Sequence, residues 1–339
     1  MKKKEGIIKK LLKRYFLDAL SAMALGLFAS LIIGLILSQI SKIPGLSFIK
    51  EFSDIISATS PVVGSAIGVA IAYGLKASPL TIFSSAATGA FGYMLGGPVG
   101  AYVAAVVGAE FGELVSHKTK VDIIIVPSVT IIMGGLAGKF VGPYIASFMT
   151  DLGQLINAAT TLHKIPMGIT VSVLMGLALT APISSAAIAI SLGLNGLAAG
   201  AATMGCCAQM VGFAVISYRE NKISGLLSQG IGTSMLQVAN VLRNPLIIIP
   251  PTIAGAILGP ISTYVFHLEN IAIGAGMGTA GLVGPIGTFT AMKGQISTTA
   301  LIIEIIVLEF IAPALISLGI AEFMRKKKWI KFGDMKLEL

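Results

Sequence analysis

The residues of this chain that could do chemistry are mostly neutral. Gln237, Asn240, Arg243 and Asn244 fall within eight positions, and Pro245, Pro250 and Pro251 follow. At i, i+3 and i+7, Gln237, Asn240 and Asn244 share one face if the stretch is helical. Their amides both donate and accept hydrogen bonds, and Arg243 adds a planar cationic fork suited to a carboxylate or phosphate. Ser184, Ser185, Gln209, Thr279 and Thr288 carry the same neutral chemistry, and Gly278, in the glycine-rich run 274–287, offers backbone N–H groups. This set suits the binding of a sugar, a polyol or another small polar solute. It suits bond cleavage poorly, because no acid–base cluster accompanies it.

The remaining ionisable residues do not change that reading. Glu304 and Glu309 stand in one apolar run but are five residues apart, so they do not share a helical face cleanly. Glu110 lies near the end of another run. His117, His163 and His267 fall at expected loop ends, as interface residues rather than proton relays. No nucleotide-binding G-x-x-x-x-G-K-[ST], H-E-x-x-H, C-x-x-C or G-x-S-x-G occurs. GAGMGTAG at 274–281 lacks the strand and Rossmann unit that a dinucleotide loop needs. Cys206 and Cys207 are adjacent, so they give neither a disulfide framework nor a zinc spacing, and they read as small packing residues. No catalytic residue, metal ligand or cofactor is expected.

The elements that must position these groups are membrane helices. The 339 residues are 55% hydrophobic and 12% charged, with mean hydropathy +0.90, against about 25% charged in a soluble domain. Arg at bilayer depth costs about 2.5–3.5 kcal/mol. Backbone freed by proline must be buried in protein or line a wet cavity. Gly230 to Pro260 therefore reads either as a broken, solute-lining segment or as an interfacial loop with Arg243 reaching lipid phosphates. The polar groups likewise either line a cavity or hold broken helices together. The net charge of +9 is not a nucleic-acid signal, since thirteen of the twenty-four Lys/Arg lie in residues 1–18 and 322–339. That distribution puts both ends in the cytoplasm and makes the crossing number even.

The expected fold class is an all-α polytopic membrane protein of about ten transmembrane helices with re-entrant or broken segments and a transporter-like pseudo-repeat. Residues 1–18 form a basic amphipathic cytoplasmic segment facing anionic membrane lipid. Residues 19–324 form the membrane domain, in halves of about 19–150 and 167–324 with a polar connector at 150–166. Residues 325–339 form a basic cytoplasmic tail. Interruptions are expected at GGP 96–98 in the first half, and at 228–251 and 274–287 in the second. One of 224–243 and 271–291 should be re-entrant and the other should cross; run length does not decide which.

At these residues the chain resembles the membrane component, enzyme IIC, of the sugar phosphotransferase system, in the branch nearest the fructose-type permeases. The resemblance runs from about Asp122 to Phe266. TAPISSAAIAI stands where those proteins have G-G-P-V-N-K-A-A-Y-A-F. GIGTSMLQVANVLRNPLIIIPPTIAGAI stands where they have G-I-T-E-G-A-I-P-F followed by D-P-L-R-V-I-P. The overall layout is similar to a subgroup that includes a proposed regulator of the perfringolysin toxin gene. There are three departures: the Asn-Lys pair falls on Ser184-Ser185, the sugar-binding glutamate falls near Ser234–Leu236, where no carboxylate stands, and no attached IIA or IIB domain is expected in these 339 residues. The resemblance implies a bacterial plasma-membrane permease for a sugar-like solute, a homodimer, and a separate cytoplasmic IIB protein as partner. By itself the chain would phosphorylate nothing. The alternative is a sensor or regulator that keeps the permease fold without moving solute.

Overall fold

The computed structural model describes residues 10–337 apart from 12, 58, 182 and 184. The chain is an all-α polytopic membrane protein. Among the described residues there is no strand, and two isolated bridges are the only extended pairings. Among the described residues, six helices are long and apolar enough to cross a membrane: Lys13–Ile40, Pro79–Val115, Asp122–Thr160, Gly196–Ile216, Pro245–Val265 and Thr298–Lys326. Three shorter apolar helices, Pro61–Gly74, Lys164–Thr180 and Ala280–Met292, join them.

Two compact units form. The first comprises 1–34 and 48–148, the second 35–47 and 149–339. In the first unit, α1 (Pro61–Gly74) packs on α2 (Pro79–Val115). Ser60 caps α1, with its hydroxyl accepting from Val62 N, and Pro61 sits in the first turn, where a missing N–H costs nothing. The interruption expected at GGP is present: Gly96 and Gly97 leave helical geometry, Gly97 at φ +58°, and Pro98 follows. Glu110 is neither isolated nor solvated alone. It pairs with Arg14 at 2.7 Å, and Tyr102 donates to Tyr15 O at 2.8 Å, so the turn at Arg14 and Tyr15 is fastened to α2.

The connector expected at 150–166 is shorter than its polarity suggests. α3 runs Asp122–Thr160 without a break. Leu152, Ile156 and Ala159 recur at helical spacing and pack into the core of the second unit, which keeps this polar stretch helical.

The second unit is built around α4 (Gly196–Ile216), whose residues are almost all buried. Against it pack α5 (Lys164–Thr180), α6 (Ile249–Pro260) and α7 (Ala312–Lys326, the end of the last span). Small residues set these contacts, as membrane helix packing requires. Cys206 and Cys207 are free and fully buried within α4, where Cys206 Sγ lies 3.6 Å from Met175 O and from Ala275 O. Helix α5 stops at Thr180, and a short helix resumes at Ser185–Ser191. Both candidate re-entrant stretches are broken. Residues 228–248 pass through π, 3-10, α and 3-10 turns, and 272–292 pass through two short turns before a helix.

Candidate functional site

The broken stretch 272–292 brings buried polar groups together against α4 and the last span. Gly278 and Gly281 take φ of +52° and +51°, and Leu282 takes +61°, so the chain reverses within five residues. A Cβ at Gly278 would lie 2.7–2.9 Å from the Cys206–Cys207 backbone, so only glycine lets the turn lie against α4. Gly278 O accepts from Gly284 N at 2.8 Å, which closes the turn.

Four of the expected residues contribute to this region, and Asn270 and Glu309 join them. Ser185 donates to Gly276 O at 2.6 Å. Thr279 donates to Gly230 O at 2.6 Å, tying the two broken stretches together. Thr288 donates to Glu309 Oε1 at 2.6 Å. Asn270 Nδ2 lies 2.7 Å from Thr203 Oγ1, 3.0 Å from Gly284 O and 3.0 Å from Thr288 Oγ1. Glu309 has no exposed surface, and its Oε2 is buried without a hydrogen-bond partner among the described residues. It stands in the π-helical turn Ile306–Ile311 of the last span, a distortion often found at functional sites. Glu304 belongs elsewhere: it is half-buried and outside this network.

Gln209 anchors a second group. It accepts from Thr180 at 3.1 Å and donates to Thr252 at 2.9 Å, while Thr180 Oγ1 lies 2.8 Å from Ser234 Oγ. Position 234 thus holds a buried hydroxyl where the resembled motif has a carboxylate.

Gln237, Asn240 and Asn244 do face the same way, and what they face is the C-terminal segment. Gln237 Nε2 donates to Met335 O at 3.0 Å and to Gln229 Oε1 at 2.8 Å. Asn240 Nδ2 donates to Gln237 Oε1 at 2.8 Å and to Lys336 O at 3.0 Å. Asn244 Nδ2 donates to Asp334 Oδ2 at 2.7 Å and to Trp329 O at 3.2 Å. Asn221 holds the same segment through Met335 O and Leu337 N. Arg243 is exposed and, among the described residues, reaches only Asn240 Oδ1, at 3.5 Å. Ser184 lies outside the described residues.

The family described as Phosphotransferase system, EIIC matches the chain over residues 17–337. The chain belongs to that family. No curated protein and no solved structure matches it. The EIIC match includes the C-terminal segment, which is therefore part of the family's domain and not an appendage. Ile330 and Met335 from this segment are buried with Phe213, Ile216 and Ile247. In this EIIC chain, Asn240→Ala leaves Gln237 Oε1 and Lys336 O each short of a donor. A buried group left unpaired costs about 1–3 kcal/mol. The expected result is a lower melting temperature with faster hydrogen exchange at Gly333 and Leu337; unchanged exchange would show that the amides do not hold the segment.

Asn270 and Glu309 are what the sequence reading missed. Asn270 carries a weak local signal, a lone Asn just before an apolar, glycine-rich run. Glu309 carries a stronger one, a carboxylate deep in an apolar span, which by default marks a functional position. Its spacing from Glu304 diverts attention from it, because its real partner, Thr288, comes from a different segment.

Proposed function

We propose that this EIIC chain is a permease for a sugar or polyol and that the solute is held at the broken stretch 272–292. As a phosphotransferase-system EIIC protein it is a sugar permease component in general and implies a cytoplasmic IIB partner. The single observation that carries the finer reading is Glu309: a buried acceptor atom with no donor, beside Thr288 and Asn270. A solute hydroxyl supplies that donor. Ser185, Gly278, Thr279 and Gln209 shape the surrounding wall, and alternating access opens it to one side at a time. While the C-terminal segment is seated, Gln237, Asn240 and Asn244 are occupied by it, so in this reading they support the site from outside. The working protein is a homodimer in the bacterial plasma membrane with both termini cytoplasmic, which the basic ends support.

The non-transporting reading has one observation on its side, the absence of a carboxylate at 234–236. Proteoliposomes holding the chain alone, offered a panel of labelled hexoses and hexitols, separate the two. The permease reading predicts uptake of a panel member and no sugar phosphate until IIA, IIB, the general phosphotransferase components and phosphoenolpyruvate are added. Binding without uptake would make the chain a sensor.

A further inference from the structure

We infer that a basic cavity at the end of the last span binds the phosphate headgroup of an anionic phospholipid, and that the bound lipid steadies the C-terminal segment on the amides beneath it. The cavity, of about 410 Å³, is lined by Arg219, Arg325, Lys328, Ile330, Lys331 and Phe332. Arg325 forms its fixed floor, donating to Ile216 O at 2.6 Å and to Glu322 Oε1 at 2.9 Å. Arg219 reaches the same Glu322 oxygen at 3.1 Å. Glu220 stands behind the cavity, accepting from Gly333 N at 3.0 Å, with its other oxygen 4.0 Å from Arg325. Asp334 adds a third carboxylate, its Oδ2 accepting from Lys331 N at 2.8 Å, so four cations meet three carboxylates. Burial also pushes the Glu220 carboxyl up from its ordinary range. Lys328 and Lys331 bring ammonium groups that no carboxylate pairs among the described residues.

Two further observations point to a lipid rather than free phosphate. The cavity opens where the apolar span Thr298–Lys326 ends, and Phe323, Trp329 and Phe332 are exposed around it. Aromatic rings of this kind collect at the membrane–water boundary. Phe323 and Trp329 meet edge to face at 6.4 Å, and the Lys327 ammonium sits 5.9 Å above the Phe323 ring. Acyl chains can follow the span while the phosphate enters the cavity. Lys328 itself stands at φ +61°, in the left-handed position that ends a helix, where glycine is the usual residue. The lysine there carries a side chain that glycine would lack.

The cavity and the amide cluster share one segment. Lys328, Ile330, Lys331 and Phe332 line the cavity, and the carbonyls of Trp329, Met335 and Lys336 satisfy Asn244, Gln237 and Asn240. A headgroup bridging Lys328 and Lys331 to Arg219 and Arg325 fastens the segment to the span that precedes it.

The test uses the full chain stripped of lipid, with native mass spectrometry for retention and hydrogen exchange at the amides of Gly333 and Leu337. Phosphatidylglycerol should be retained at least tenfold better than phosphatidylcholine, should lose that preference as salt rises, and should slow the exchange. The double variant Lys328→Gln, Lys331→Gln, changed only at exposed side chains, should lose the preference and the slowing, while Lys118→Gln, Lys120→Gln keeps both. Equal retention of the two lipids, or an unchanged preference in the first double variant, overturns the proposal. Slowing by inorganic phosphate as strong as by phosphatidylglycerol makes the ligand a free anion and overturns the lipid assignment.

Discussion

Glu309→Gln is expected to abolish most uptake while leaving the protein as stable as before, or more so. The amide keeps the Oε1 acceptor for Thr288 and places an N–H₂ where Oε2 now stands without a partner. A solute hydroxyl that donates to Oε2 loses its acceptor and meets a second donor. Such a mismatch costs about 1–3 kcal/mol, or roughly a tenfold to hundredfold loss of affinity. Stability moves the other way, because a buried carboxyl is costly to enclose and its replacement by a neutral group of similar volume is often stabilising. Uptake of the transported panel member, measured beside the melting temperature, separates the roles. Full uptake with a lowered melting temperature would make Glu309 a purely structural residue.

The largest effect on folding is expected at Gly205. A Cβ there would run into the Ser172 carbonyl oxygen on α5, backbone against backbone. Ordinary contact is nearer 3.4 Å, so α4 and α5 would have to separate over their whole seam. Interiors do not absorb such a shift locally. Ser172 also donates to Gly255 O on α6 at 2.8 Å, so three helices would move together. Gly205→Val should give no monodisperse protein in detergent. Gly319, in the last span, has open space around its Cβ direction. Gly319→Ala should therefore raise stability by about 0.8–1 kcal/mol through helix propensity alone. Monodisperse G205V with an unchanged melting temperature would show that this seam is loosely packed.

These two variants also show where sequence reasoning holds and where it stops. Apolar run length and the thinly charged body reveal a membrane protein, and Gly96-Gly97-Pro98 reveals a break, because those signals are local. The helix over 150–160 is less legible, since the residues that keep it helical, Leu152, Ile156 and Ala159, do so by packing into a distant core. The site is legible only in part. Composition picks out Ser185, Thr279 and Thr288 as polar residues in apolar surroundings, but their partners are 21 to 91 residues away. The amides at 237, 240 and 244 share a face, as their spacing predicts. Spacing cannot say that the face meets the backbone of residues 329–336, because a backbone carbonyl leaves no trace in residue type.

The central claim is that the solute sits on the broken stretch 272–292, and thiol labelling during turnover tests it most directly. Thr288 and Asn240 are both buried, one beside Glu309 and one beneath the C-terminal segment. Single variants T288C and N240C, made in a background without Cys206 and Cys207 and checked for uptake, are exposed to a small maleimide with and without the transported hexose or hexitol. The account predicts that the thiol at 288 reacts while the permease cycles and that saturating solute slows the reaction at least tenfold, with no such slowing at 240. Solute protection at 240, with none at 288, would contradict it.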